Sequence, residues 1–386
     1  MSRGSQADPS ASPVSEGTNH RAMTAFVESC IETAAGSAAQ AERRSRGRPR
    51  ARRLLKQLAN KHKILITTHQ HPDPDGLASA IGLRELLSQK LPDAEVSVSA
   101  KGRVGGGLNE AFVRFSKLNL APWNERSLAN YDAIILVDVQ PHFAYSPLPE
   151  AVEPLAVIDH HTRSGRHRGL PYCDVRTDVG ATCSIIFSYF METETPISAS
   201  LAATMLYGLE TDLAGAAGTP TELDNLALSS LTLLADTRKL YQMRYVDLPR
   251  EYYVAYSQAL TSAQYYEHAL LAHIGTIDSL EKPAVMADFL LRFDQVDWAL
   301  VTAVYEKRLI LSMRTSNGRL SAADVMRKLV RGIGEGGGHR TKAGGCVPLG
   351  STERAELDRT HAALLRRYLR SLGIKPSKGR ALVAPN

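Results

Sequence analysis

Short apolar runs, each broken by a polar loop, alternate along the chain with longer stretches whose apolar positions recur every three or four residues. The short runs at residues 64–68, 96–98, 133–137 and 155–158 predict buried strands. Leu77, Ala80, Ile81, Leu83, Leu86 and Leu87 fall at helical spacing and predict a helix after Asp75. A shorter helix over 54–60 precedes the first strand. Residues 184–191 and 198–211 read as two more helices, the second bringing Asp212 near its end. Strands alternating with helices predict an α/β fold built on a doubly wound parallel sheet. Ligands of such sheets bind beyond the carboxyl ends of the strands.

A second pattern starts near residue 240. Residues 250–268 read as a long connecting helix, with Pro249 where a first turn tolerates proline. Further strands and helices are expected over 270–276, 285–289, 298–305 and 308–314. Ser321 and Asp324 form a capping box for a helix reaching about Arg331. It leads into Gly336, Gly337, Gly338, His339 and Arg340, which read as an anion-binding loop because backbone amides converge where no Cβ interferes. The plainer reading of those glycines is a linker. The expected organisation is a tail over 1–53, a first domain over 54–238, a helical linker over 239–268, a smaller α/β domain over 269–375 and a short tail over 376–386.

Charge changes this picture only at the start. The chain carries a formal net charge of +6, but residues 1–53 hold nine Lys/Arg against five Asp/Glu. Seven arginines fall within 43–53. Lacking aromatic residues for base stacking, that run reads as a solvated linker ahead of a weak RNA-binding segment. Residues 1–20 have the composition of a disordered segment, and 23–42 that of a weakly amphipathic helix. The four cysteines, Cys30, Cys173, Cys183 and Cys346, show no zinc-like spacing, which suits a reducing cytoplasm. No stretch has the length and apolarity of a membrane span.

The chemistry lies where the strands end. His69, Asp73 and Asp75 follow the first strand, Asp138 the third, and Asp159, His160 and His161 the fourth. Individually each acid has a plainer role, Asp75 as the cap of the helix after it and Asp138 as a turn residue. Asp159, His160 and His161 resist such a reading. Adjacent imidazoles repel if both are protonated, and a cation keeps one neutral. Oxygen and imidazole donors of this kind suit divalent cations.

In order, these residues resemble the DHH phosphoesterase superfamily. His69, Pro72, Asp73, Asp75 and Ser79 match its H-x-x-P-D-x-D-x-x-x-S motif, while Asp138, the Asp159–His161 triplet and Asp212 match the next three. Gly336, Gly337, Gly338 and His339 resemble the signature of the DHH-associated C-terminal domain. The resemblance spans roughly residues 55–370. It implies two divalent metal ions, usually manganese (Mn2+), with magnesium or cobalt as alternatives: His69 and Asp73 on one, Asp75, His160 and Asp212 on the other, and Asp138 bridging both. His161 would contact the phosphate, and Asp159 would orient an imidazole. Ser312, Arg314, Gly336, Gly337, Gly338, His339 and Arg340 would bind substrate.

The implied activity is hydrolysis of a phosphodiester or phosphomonoester in a small nucleotide: a short oligoribonucleotide, a dinucleotide or 3′-phosphoadenosine 5′-phosphate, as in the nanoRNase and phosphoadenosine-phosphate phosphatase branch. The partners expected are that nucleotide or short RNA, no membrane, and a second copy of the chain, since homodimers are common among relatives. Alternatives are a non-hydrolytic nucleotide sensor or RNA-binding protein of the same fold and a RecJ-like exonuclease. Inorganic pyrophosphatase is disfavoured by the glycine-histidine signature. Ala78 before Ser79 and Leu213 after Asp212 depart from common family patterns and leave the substrate open.

Overall fold

In the computed structural model of the chain, the described residues are 49–102, 104, 108–116, 118–162, 169–213, 220–338, 340–375 and 378–383. The chain falls into two units, Met1–Pro49 and Arg50–Asn386. The expected disorder over 1–20 and the weak helix over 23–42 lie outside the described residues. The second unit opens with α1 (Arg50–Leu58), β1 (Lys63–Thr67), α2 (Pro74–Lys90), β2 (Glu95–Ser99), α3 (Leu108–Ser116), β3 (Ala133–Val137), β4 (Ala156–Asp159) and β5 (Tyr172–Val175). Helices α4 (Thr182–Glu192), α5 (Ala199–Leu213), α6 (Glu222–Leu234), α7 (Thr237–Arg244) and α8 (Arg250–Ser262) follow.

The first five strands form one parallel sheet in the order β2-β1-β3-β4-β5. From β1 the chain moves outward to β2, then returns to β3 and continues the other way. The topological switch point is therefore the crevice between β1 and β3, and the His69 loop and Asp138 leave those two strands there. All five residues of β3 are buried, as expected for a parallel strand covered on both faces. Burying its larger aliphatic side chains contributes about 1.5–3 kcal/mol each.

The chain continues through β6 (Gln264–Tyr266), β7 (Ala269–Thr276), α9 (Lys282–Leu290), β8 (Trp298–Tyr305), β9 (Arg308–Thr315), α10 (Ala322–Val330), β10 (Glu335–Gly338), β11 (Lys342–Pro348), α11 (Arg354–Ser371) and β12 (Arg380–Ala381). Its sheet runs β10-β11-β9-β8-β7-β6-β12, with β7 and β8 parallel and the other pairs antiparallel. Alternation along β8 divides two cores. Trp298 and Leu300 pack with residues of α10 and α11, whereas Ala299, Val301 and Ala303 pack with α8 and α9.

Four local expectations are corrected. Residues 239–268 are two helices and part of a hairpin instead of one linker helix. Ala263 ends α8, and Glu267 at φ 53° turns the chain so that Gln264–Tyr266 pair with residues 269–271. The helix expected from residue 54 starts at Arg50, because Ala51, Leu54 and Leu58 bury one stripe and the Glu192 carboxylate accepts from the amides of Ala51 and Arg52. Arg50 itself pairs with buried Asp174, so this end of the arginine run is not solvated linker. The glycine run is strand β10, not a loop. Among the described residues, no helix is long and apolar enough to cross a membrane.

Helices α2 and α5 carry Asp75 and Asp212 and meet closely at Gly208, where a Cβ would stand 2.7 Å from Ala78 Cβ and 2.8 Å from the Pro74 carbonyl. Gly208→Ala should therefore destabilise the protein by about 1–3 kcal/mol in urea denaturation. An unchanged midpoint would show that these helices separate without cost.

Candidate metal centre

Asp138 occupies the left-handed region at φ 58°, an uncommon conformation for a residue with a Cβ. The turn leaves its carboxylate buried between two imidazoles. Oδ2 lies 3.7 Å from His69 Nε2, and Oδ1 lies 3.5 Å from His160 Nε2. Thr182 Oγ1 donates to Oδ1 at 2.8 Å, which fixes the orientation. His69 Nε2 is also 3.6 Å from Asp73 Oδ1, and His160 Nε2 is 3.3 Å from Asp212 Oδ2.

Three overlapping donor groups result: His69, Asp73 and Asp138; Asp138, His160 and His161; Asp75, His160 and Asp212. Within each, the candidate ligand atoms lie within 4.8 Å of one another. Oxygen with imidazole nitrogen suits manganese or magnesium better than thiolate-seeking ions. Beside them, the buried hydroxyl of Thr68 has no hydrogen-bond partner. A Cβ on Gly76 would stand 2.4 Å from that hydroxyl, 3.2 Å from Asp138 Oδ2 and 3.4 Å from His69 Nε2, so glycine keeps this approach open. The donor set and the orphaned hydroxyl both fit bound divalent cations.

The cluster opens into two adjoining cavities of about 790 and 910 Å3. Both include His69, Asp73, Asp212, Gly338, Gly344 and Gly345. The smaller adds Tyr145, His160, His161, Gly336 and Gly337, and the larger adds Ser312, Arg314 and Lys342.

Residues 63–209 match the model of the DHH family, N-terminal domain. Over those residues the chain is similar to a DHH domain. It is 28% identical over 337 residues to an uncharacterized protein of Methanocaldococcus jannaschii, covering 85% of this chain and 68% of that one. It is 30% identical over 176 residues to the probable manganese-dependent inorganic pyrophosphatase of Listeria innocua, covering 45% of this chain and 56% of its relative, about half that protein's length. The fold resembles that of an exopolyphosphatase-related protein from Bacteroides fragilis at a TM-score of 0.66 and 17% identity, over 84% of this chain and 97% of that one.

Within residues 63–209, capping is distributed otherwise than expected. Asp73, not Asp75, caps α2 by accepting from Gly76 N at 3.0 Å. Asp75 instead accepts from the first amides of α4, Thr182 N at 2.8 Å and Cys183 N at 2.9 Å. Its remaining lone pairs can still meet a cation. Asp159 is fully buried and bonded to His161 Nδ1 at 2.7 Å and Gln140 Nε2 at 2.5 Å. Burial disfavours its charge, but the His161 hydrogen bond and charge outweigh burial and hold the carboxyl at about 2. Ionised, it can only accept, so His161 carries a proton on Nδ1.

Ser312 Oγ lies 3.1 Å from Arg314 Nη1, and Arg314 Nε donates to Asp288 at 2.7 Å. Arg340 is exposed, donates to the Gly318 carbonyl and lines neither cavity. His339 lies outside the described residues. Sequence reasoning missed Lys342, whose Nζ is 3.3 Å from Asp212 Oδ1, and also Tyr145, Thr182 and Gln140. Tyr145 and Gln140 stand shortly after Asp138, the only signal available; Lys342 and Thr182 have none.

Crowding sets the acidity of the cluster. Burial, then the charges of Asp212 and Asp73, raises Asp75 from 3.8 to about 8. Burial and the neighbouring carboxylates also raise Asp138 well above the carboxylate range. A folded-state value above the unfolded one stabilises fully below the unfolded value and is lost as pH rises through the folded one. Chelator-treated protein should therefore melt a few degrees lower at about pH 9 than at about pH 7, and Asp75→Asn should flatten that slope. A melting temperature constant across this window would contradict the raised carboxyls.

Proposed function

We propose that the protein is a divalent-cation-dependent phosphohydrolase acting on a phosphate ester of a small nucleotide. The observation carrying this reading is the Asp138 carboxylate, which turns one oxygen toward His69 and the other toward His160. His69, Asp73 and Asp138 would hold one cation, and Asp138, Asp75, His160 and Asp212 the other. Manganese is the first candidate, because the Listeria relative is named as manganese-dependent. Two such cations would polarise the phosphoryl group and supply a nucleophile from water at neutral pH.

The chain's own residues complete the chemistry. Asp159 holds His161 by Nδ1, so Nε2 is the nitrogen through which His161 exchanges a proton with the phosphate oxygens. Arg314 and Lys342 supply cationic donors in the larger cavity, where a phosphate flanking the reacting one would bind. Asp288 holds Arg314 in place.

A second reading, hydrolysis of inorganic pyrophosphate or a longer polyphosphate, has specific support. The Listeria relative carries that name, and the Arg314 and Lys342 side of the site would suit a second phosphate. A manganese-supplemented screen over di- to pentaribonucleotides, cyclic dinucleotides, the adenosine bisphosphate, pyrophosphate and polyphosphate separates the two. The nucleotide reading predicts the highest kcat/KM on a nucleotide, and a clear preference for pyrophosphate would replace it. On the best substrate, Asp138→Asn should lower kcat on the order of a thousandfold while the circular dichroism spectrum stays native. Arg314→Ala should raise KM about tenfold with a smaller effect on kcat. Retained activity in the first variant or an unchanged KM in the second would count against the assigned roles.

A further inference from the structure

The turn into α4, residues 179–184, bears on every ligand assigned to the Asp75 side of the cluster. The amides of Thr182 and Cys183 donate to the two oxygens of Asp75. Thr182 Oγ1 donates to Asp138 Oδ1, the oxygen turned toward His160. The Val179 carbonyl lies 3.4 Å from His160 Nδ1, while Nε2 of that ring faces Asp138 and Asp212. Gly180 packs against Leu213, the residue after Asp212: a Cβ there would stand 2.4 Å from Leu213 Cδ2. His69 and Asp73 are held elsewhere, by the Gln70 carbonyl and the Gly76 amide.

The turn does not fix itself. Ala181, at the N-cap of α4, offers no capping side chain. The fixing group comes from α6. Asp224 is fully buried, and among the described residues its carboxylate accepts four hydrogen bonds. Two close its own helix, from Thr221 N at 2.9 Å and Thr221 Oγ1 at 2.8 Å. The other two cross to the turn, from Gly180 N at 2.9 Å and Ser184 Oγ at 2.6 Å. Glycine at 180 admits the carboxylate, since a Cβ would stand 3.0 Å from Asp224 Oδ2. Asp224 therefore grips the turn on either side of Thr182 and Cys183.

Charge makes this grip matter. Asp75 and Asp138 repel one another when both are ionised, and they hold their places only while their donors do. Releasing the turn at Gly180 and Ser184 would let those donors drift, whereas the supports of His69 and Asp73 would stay. We propose that Asp224 is a positioning residue that holds the Asp75, His160 and Asp212 cation site in register and leaves the His69 and Asp73 site to its own supports. This rests on the two-cation reading for what the turn serves. It also gives a place to Leu213, which departs from the common family pattern and packs on the gripped turn.

Two measurements on the full chain test this. In chelator-treated protein, the Thr182 and Cys183 amides should exchange hydrogen at least about tenfold faster in Asp224→Ala than in wild type. Calorimetric titration with manganese should show one binding constant weakened about tenfold or more, the same one that His160→Ala removes, and the other unchanged. Asp224→Asn, which keeps an oxygen for Gly180 and an amide for the Ser184 hydroxyl, should restore most of both. Thr221→Ala, which removes the α6 cap and leaves the grip, should lower the melting temperature with neither effect. Wild-type exchange rates in Asp224→Ala, an equal loss at both constants, or no rescue by Asp224→Asn would overturn the proposal. Should Asp224→Ala not fold, Gly180→Ala, whose Cβ crowds the carboxylate, takes its place with the same expected and opposing results. A single manganese equivalent in wild type would instead remove the two-cation reading, and the exchange rates would then decide the grip.

Discussion

Mutual repulsion among carboxylates at the mouth of one parallel sheet is the constraint on which the site depends. Asp73, Asp75, Asp138 and Asp212 share overlapping donor groups with His69 and His160. So many acids this close cannot all ionise in a buried setting unless cations answer them. Protons do so in the metal-free chain, which is why Asp75 and Asp138 are raised. Divalent cations would do so in the loaded protein, exchanging those protons for charge of direct use to a phosphate.

Much of the scaffold holds this unfavourable arrangement in place. The strand order puts the ends of β1 and β3 side by side at the switch point, so two loops meet where ligands of such sheets bind. Asp138 tolerates a left-handed backbone to turn its carboxylate inward. Asp75 is held by amides at the start of α4, a helix end whose dipole favours negative charge. Gly76 and Gly208 let the backbone approach where any side chain would intrude. The second sheet contributes no ligand to the three donor groups but brings Arg314, Lys342 and the glycine strands to the cavities beside them.

The residues that follow buried runs were legible in the sequence. Ala133 to Val137 announce a strand, so Asp138 had to emerge at a sheet end, and the same logic located His69 and the Asp159 to His161 triplet. The parallel sheet followed from the alternation of strand and helix periods. What stayed hidden depends on partners distant in sequence. Asp75 caps a helix 107 residues on, and Lys342 meets Asp212 across 130 residues, pairings that no local pattern encodes. The glycine run misled for a related reason. Read locally, three successive glycines suggest a loop, but Gly344 and Gly345 supply a matching strand, and Met326 behind them rewards the absence of side chains. The hairpin at Gln264–Tyr266 was obscured because no glycine or proline marks the end of the helix before it.

On this reading one buried carboxylate, that of Asp138, would join two cation sites. Electron paramagnetic resonance during a manganese titration of the chelator-treated chain tests it most directly. Spin-coupled signals should appear as the second equivalent binds, and Asp138→Asn should leave only the spectrum of an isolated ion. Isolated-ion spectra at every loading of the wild-type protein would contradict the bridge and, with it, the account of the site.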